Sequence, residues 1–187
     1  MATFLIDYEN VSASGLEGLE TCGPEDIIYI FYTENADRLT FGAHQRLIES
    51  AAQIRYYKVD SGTKNALDFQ LVTYLGYLIH GTPENHYYII SKDNGFDSVL
   101  NFWKKQNVFI LRLPNLDVEN TCQAHDELRK KLHELLEDSD VQTVFDMIEK
   151  YKTKQGLNNA LMKQFDNKKT SEIYRVIKPF IANKKGH

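Results

Sequence analysis

The sequence predicts an α/β fold with a mostly parallel sheet, followed by a small helical module. Short apolar runs rich in β-branched and aromatic residues alternate with helical patterns as far as residue 113. This alternation is typical of crossover units in a parallel sheet. After residue 120 the strand patterns stop, and only helical patterns follow. We therefore predict a sheet domain over residues 1–118 and a helical module over residues 119–187.

Each predicted strand of the sheet domain is a short apolar run bounded by polar or turn residues. The predicted strands are residues 3–8, 27–33, 54–59, 87–91 and 108–113. The predicted helices between them are residues 36–52, 65–80 and 95–106. The second helix is the clearest, because Leu67, Leu71 and Leu75 recur on one face and Gly81 follows its end.

The helical module is predicted from charged amphipathic segments separated by short polar joints. Its predicted helices are residues 122–136, 141–151, 157–165 and 171–181. The pattern indicates a small separate unit that does not extend the sheet.

Composition excludes several classes of protein. The 187 residues suffice for one ordinary domain and a small appendage. The two cysteines, Cys22 and Cys122, show no C-x-x-C spacing. We therefore expect neither a zinc ribbon nor a disulfide scaffold, and we expect a cytoplasmic location. The longest apolar stretch, LVTYLGYLI, is too short to cross a bilayer, so we expect no membrane association.

Four aspartates stand where a catalytic metal site would need them: Asp7, Asp68, Asp93 and Asp97. Asp7 lies near the end of the first predicted strand, and Asp93 lies just after the fourth. Asp68 and Asp97 lie in the first turns of the helices after the third and fourth strands. Ligands of open parallel sheets bind outside the carboxyl ends of the strands, so all four acids are expected at one rim. Such carboxylates are the usual ligands of Mg²⁺ or Mn²⁺, the usual catalysts of phosphodiester cleavage.

Polar neighbours of these acids are candidates for supporting roles. Asn10 would orient Asp7 or bind a metal-bound water, and Ser91 opens the segment with the last two acids. Lys64 would neutralise the cluster or hold the scissile phosphate. Glu9 has the opposite strand parity to the neighbours of Asp7, so we rank it lower. Each aspartate also has an ordinary explanation, because aspartate caps helices and favours their N-termini.

The segments FLIDYENV, KNALDFQL and IISKDNGFD resemble the three acidic motifs of PIN-like nucleases, close to the NYN branch. The resemblance covers roughly residues 1–113 and implies a three-layer PIN-like domain with ribonuclease activity dependent on Mg²⁺ or Mn²⁺. It also implies that the four aspartates bind the metal, with Asn10 and Ser91 as supporting polar residues. Asn94 and Gly95 lengthen the last motif relative to the compact NYN form. This departure weakens the match of Asp97 to a metal-binding acid more than that of Asp93.

Charge is divided unevenly along the chain. Residues 1–140 carry 12 Lys and Arg against 22 Asp and Glu, whereas residues 141–187 carry 10 against 4. The basic end includes Lys163, Lys168, Lys169 and Arg175, which lie among aromatic residues. Cations for phosphates beside aromatics that stack bases suit single-stranded or structured RNA. A small helical core explains the aromatics better than base stacking does, whereas RNA binding by the lysines and homodimerisation both stay open for this module.

Two other functions compete with the nuclease hypothesis. A non-catalytic member of the fold would bind RNA or protein without cleavage. An aspartate-based phosphatase would use Asp7 as its nucleophile, but Glu9 stands where a D-x-D motif needs its second aspartate. A dinucleotide enzyme has weaker support still, because no G-x-G-x-x-G follows the first strand.

Overall fold

A computed structural model describes residues 1–60, 65–151 and 153–181 of the chain. The chain divides into two compact units, Met1–Val118 and Glu119–His187. Each unit has its own hydrophobic core.

The first unit is built on a parallel sheet, as the sequence predicts. Its strands are β1 (Ala2–Asp7), β2 (Ile27–Tyr32), β3 (Gln53–Lys58), β4 (His86–Ile90) and β5 (Ile110–Leu113). They lie in the order β3-β2-β1-β4-β5, and all four pairings are parallel. β1 is therefore the central strand and lies between β2 and β4.

Helices connect these strands and cover both faces of the sheet. They are α1 (Tyr8–Val11), α2 (Phe41–Glu49), α3 (Ala66–Gly81) and α4 (Asp97–Lys104). The helix predicted over residues 36–52 is shorter in the structure, because Thr40 caps α2 by accepting a hydrogen bond from the Ala43 N–H. A 3-10 turn, Asn94–Phe96, comes before α4.

Alternate strand residues enter two separate cores, which makes the domain a three-layer structure. On one face, Leu5 and Ile89 pack with the leucines of α3. On the other, Ile6 and Ile90 pack with residues around α1 and α2. The inner strands β1, β2 and β4 are buried on both faces and read as nearly continuous apolar runs, which explains why the sequence pattern located these three well.

The second unit is helical and comprises α5, which begins one residue before it, and three further helices. They are α5 (Val118–His133), α6 (Asp138–Lys150), α7 (Lys154–Gln164) and α8 (Asn167–Ile177). Each begins three or four residues before its predicted start. Thr153 and Asp166 cap α7 and α8 by accepting hydrogen bonds from the Gly156 and Lys169 N–H groups. The predicted starts lay at or near the first apolar residue, which follows the cap.

No helix in the described ranges combines the length and the apolar character that a bilayer span requires.

One glycine fixes how the chain turns back against the end of the sheet domain. Gly18 has φ of +89°, which only glycine adopts at low cost. A Cβ at this position would also collide with the backbone of Asp117. Gly42, in the first turn of α2, has φ in the ordinary range, and a Cβ added there would meet no atom within 4 Å.

We expect Gly18→Ala to lower the free energy of unfolding by more than about 2 kcal/mol, because positive φ and a backbone collision combine. Gly42→Ala is the matched control and should leave stability equal or slightly higher. Urea unfolding of both variants measures the difference. Equal unfolding midpoints for the two variants would contradict this role of Gly18.

Candidate active site

The candidate site lies at the carboxyl ends of the three inner strands. β1 ends at Asp7, which pairs in register with Phe31 of β2. Ile6 pairs with Ile90 of β4, so Ser91 follows β4 directly beside Asp7. Since β1 is central, the residues that follow β2 and β4 flank Asp7 on both sides.

A pocket of about 620 Å³ opens at this rim. It contains three of the four predicted aspartates, together with polar residues from the neighbouring loops. Its lining is Asp7, Glu9, Asn10, Thr33, Asn35, Asn65, Ala66, Leu67, Asp68 and Asp93. The sequence prediction that these acids share one rim agrees with this geometry for Asp7, Asp68 and Asp93.

The Asp7 carboxylate is almost completely buried, with 4% of the residue exposed. Its Oδ2 accepts a hydrogen bond from Ser91 Oγ at 2.9 Å. Its Oδ1 accepts one from the Asn10 backbone N–H at 3.2 Å. Asp7 thereby caps α1 as well as lining the pocket, so the ordinary and the functional explanations hold together.

Ser91 connects two of the acids. Its side chain is fully buried, and its Oγ accepts a hydrogen bond from the Asp93 N–H at 3.1 Å while donating to Asp7. Asn10 adds a second link, because its Oδ1 accepts a hydrogen bond from the Lys92 N–H at 2.9 Å. These bonds hold the loop after β4 against the end of β1.

The other two pocket acids come from helix starts. Asp68 lies in the first turn of α3. Asp93 precedes the 3-10 turn that leads to α4, and its Oδ1 accepts a hydrogen bond from the Gly95 N–H at 2.9 Å. Both carboxylates are partly exposed to the pocket.

Burial and mutual repulsion disfavour the charged forms of two of these acids. Burial is the main reason that the pKa of Asp7 rises to about 6, and the charges of Asp68 and Glu9 add to it. The hydrogen bonds from Ser91 and Asn10 act in the opposite direction. The pKa of Asp68 is also raised, mainly by burial and then by the charges of Asp93 and Glu9. A cation that compensates this negative charge would therefore stabilise the charged forms of Asp7 and Asp68.

The structure does not bring Asp97 into this pocket. Arg112 of β5 binds its carboxylate instead, through Nε to Oδ1 at 2.8 Å and Nη2 to Oδ2 at 3.3 Å. The 3-10 turn places Asp97 at the start of α4, within reach of the strand next to β4. The expectation that all four aspartates converge is therefore corrected to three.

Three pocket residues were missed or ranked too low from the sequence. Glu9 was ranked low by strand parity, but β1 ends at Asp7 and Glu9 belongs to α1, where that parity no longer applies. Thr33 Oγ1 donates a hydrogen bond to Glu9 Oε2 at 2.8 Å, and Asn35 Nδ2 donates one to Oε1 at 3.5 Å. The signal for Thr33 was its position directly after β2, which is the neighbour of β1.

None of the basic candidates among the described residues is part of this pocket's lining. Lys64 lies outside the described residues. The other four basic candidates are exposed residues of α7 and α8 in the second unit: Lys163, Lys168, Lys169 and Arg175.

The donor set of the pocket fits a hard divalent cation. It consists of oxygen donors only, as Mg²⁺ and Mn²⁺ prefer. Across the part of the chain that the structure describes, no three His, Cys, Asp or Glu side chains are arranged to enclose an ion by themselves. Mg²⁺ usually keeps several water ligands and takes one or two protein carboxylates.

Comparison with known protein families identifies a family for the first unit. A family model for the PIN domain matches residues 1–113. No curated protein and no solved structure matches the chain. The matched range covers all five strands and the three pocket aspartates. The PIN-like prediction is confirmed, and the closeness to the NYN branch stays a prediction.

We expect the effect of Asp7→Asn on the stability of the metal-free protein to become more favourable by about 3 kcal/mol between pH 4 and pH 8. With its pKa raised from 3.8 to about 6, Asp7 contributes stability below pH 4 that is lost as pH rises through about 6. At pH 8 this loss is about 3 kcal/mol, and asparagine removes it. Urea unfolding in chelator at pH 4 and pH 8 measures the effect. Asp37→Asn, at an exposed acid of the same unit, is the control. A stability difference for Asp7→Asn that stays constant with pH would contradict the prediction.

Proposed function

The chain belongs to the PIN domain family, whose members are generally metal-dependent nucleases, and from this premise we propose that it is an endoribonuclease. It would hydrolyse phosphodiester bonds of single-stranded or structured RNA. One observation carries the proposal: carboxylates from three separated segments, Asp7, Asp68 and Asp93, line one pocket at the sheet rim. PIN domains share this chemistry, and burial of Asp7 makes a bound cation favourable.

We propose Mg²⁺ or Mn²⁺ as the cofactor, with Asp7 and Asp93 as its direct ligands. When bound, the cation lowers the pKa of a water molecule and offsets the charge of the phosphate. The chain's own contribution is orientation: Ser91 and Asn10 fix the Asp7 carboxylate, and the Gly95 N–H fixes that of Asp93.

Asp68 and Asp97 take the remaining roles in this proposal. Asp68 faces the same pocket and binds the cation directly or through water. Asp97 as a metal ligand stays a prediction. Its pairing with Arg112, which also donates to the Ser91 carbonyl at 3.4 Å, supports a positioning role in the metal-free protein.

RNA binding is proposed for the basic residues of the second unit. Lys163 ends α7, Lys168 and Lys169 begin α8, and Arg175 lies in its last turn. Their exposure leaves them available for phosphates. Dimerisation with a second copy of the chain is the other role proposed for this unit.

We propose a cytoplasmic location, because the buried Cys22 has a free thiol. Free thiols persist in reducing compartments.

A non-catalytic role is the second candidate. Its support is that no three metal-binding side chains of the described residues are arranged to hold an ion. An aspartate-based phosphatase has less support. Both oxygens of Asp7 accept hydrogen bonds, which lowers the nucleophilicity of the carboxylate.

We expect the purified protein to cleave labelled RNA with Mn²⁺ or Mg²⁺ and to stop when chelator is added. Asp7→Asn and Asp93→Asn should each lower the cleavage rate by at least about 100-fold, because each removes a proposed metal ligand. Asp37→Asn should cleave like the wild type. Gel-based single-turnover rates measure this, and cleavage that survives both substitutions would reject the site.

Thermal unfolding separates the nuclease from the non-catalytic candidate. Mn²⁺ should raise the melting temperature of the wild type by mass action, and it should raise that of Asp7→Asn less. A shift without RNA cleavage would favour the non-catalytic member. Phosphate release from small monoesters without RNA cleavage would favour the phosphatase.

We expect alanine at Lys163, Lys168, Lys169 and Arg175 together to weaken RNA binding and reduce its dependence on salt. Each lost phosphate contact should lower the slope of log affinity against log salt by about 0.7. Alanine at Lys104 and Lys105, exposed cations at the end of α4, is the control. Fluorescence anisotropy at several salt concentrations measures the slopes, and equal slopes for both variants would exclude the proposed contacts.

A further inference from the structure

A second cavity of about 240 Å³ adjoins the acidic pocket and runs between α3 and α4. We call it the α3–α4 groove. It shares Asn65, Asp68 and Asp93 with the acidic pocket. The rest of its lining is mainly apolar: Phe69, Val72, Gly95, Phe96, Ser98 and Val99. The two cavities therefore form one continuous depression, acidic at one end and apolar at the other.

The two cavities adjoin because residues at helical spacing on α3 line both of them. Residues 68, 69 and 72 lie on one face of α3, because residues three and four apart are neighbours on a helix, and Asn65 directly precedes this helix. The stripe passes from the polar Asn65 and Asp68 to the apolar Phe69 and Val72 within two turns.

At the far end of the same face, the indole ring of Trp103 lies close to α3. A Cβ at Gly76 would lie 3.6 Å from Cζ2 of Trp103. The two helices are thus close together at that end.

Phe69 is the unusual residue of the groove. The residue is 66% exposed, although polar side chains would solvate the neighbouring Asp68 carboxylate better than an aromatic ring does. An aromatic face left open to solvent beside a charged centre is available to stack with a flat partner.

Charge indicates which part of a nucleotide fits. Neither cavity has a lysine or arginine among its lining residues as the structure describes them. The groove as described therefore offers no cationic side chain to a phosphate, and the carboxylates of Asp68 and Asp93 would repel one. A nucleobase is flat and uncharged, and its aromatic faces match the apolar walls.

We propose that the α3–α4 groove binds the base of the nucleotide adjacent to the scissile phosphate of single-stranded RNA, with Phe69 stacking on that base. This inference rests on the proposed function. A base must leave its own helix to enter such a groove, so the groove selects unpaired RNA over duplex. The carboxylates of Asp68 and Asp93 lie on the side of the base that faces the phosphate.

The test is RNA binding in an Asp7→Asn background, in which cleavage is disabled and the groove lining is unchanged. The probe is a fluorescein-labelled single-stranded octamer, followed by anisotropy. Phe69→Ala should weaken binding roughly 5- to 150-fold, the range of stacking on one base, and Phe69→Trp should restore it. Tyr77→Ala is the matched control, because Tyr77 lies on the same helix with 71% exposure and does not line the groove.

A second measurement locates the base. Octamers that are cleaved at one position are made with a single abasic ribose on either side of the cut. One abasic position should slow single-turnover cleavage by wild type at subsaturating protein, and Phe69→Ala should show no further loss on that RNA. If the abasic position and Phe69→Ala instead lower the cleavage rate independently, so that their factors multiply, the pairing of Phe69 with that base would be overturned.

The outcomes distinguish this inference from the proposed function. Cleavage that requires Asp7 and Asp93 but binding that is equal in Phe69→Ala and Tyr77→Ala overturns the groove alone. Binding that depends on Phe69 without any cleavage supports the groove and rejects the nuclease. Conversion of a dimer to a monomer by Phe69→Ala in gel filtration would show a self-association surface, and absence of RNA binding would likewise overturn the inference.

Discussion

Burial of the Asp7 carboxylate at the end of the central strand is the constraint on which the site depends. A negative charge in that position is costly unless it is hydrogen-bonded and compensated. The neighbouring segments supply the hydrogen bonds, through Ser91 Oγ and the Asn10 N–H. Compensation is incomplete, because the nearby charges of Asp68 and Glu9 raise the pKa of Asp7 further. The charged Asp7 carboxylate therefore lowers the stability of the metal-free protein, and a bound cation would offset this loss.

Two other acids of the rim, Asp97 and Glu9, have different side-chain partners from Asp7. Arg112 binds Asp97, while Thr33 and Asn35 donate hydrogen bonds to Glu9. These contacts pair the charge of Asp97 with Arg112 and hold the Glu9 side chain, but the charge of Glu9 still raises the pKa of Asp7 and of Asp68. They also restrain the loops after β2 and β4, so the same contacts that limit repulsion shape the rim. Negative charge is therefore concentrated at the pocket, where Asp7, Glu9, Asp68 and Asp93 lie together.

The sequence was most informative where burial imposes a simple pattern. Runs such as IIYIFYT and the leucines of α3 located strands and helix, and parallel topology placed Asp7, Asp68 and Asp93 at one rim before strand order was known. Strand order decided the rest. Only the adjacency of β4 and β5 brings Arg112 to Asp97, and only that of β1 and β2 brings Thr33 to Glu9. Helix starts failed at Thr153 and Asp166, because capping residues precede the apolar pattern that marks a helix in the sequence.

The hydrogen bond between Asp7 and Ser91 spans 84 positions of the chain. During synthesis, the first strand leaves the ribosome long before its partner from β4 exists. Long-range pairings of this kind form late, because a large loop must be closed first. A half-made chain would consequently hold an incomplete pocket. The pocket can be complete once the segment after β4 has joined the end of β1, and that segment precedes the second unit along the chain.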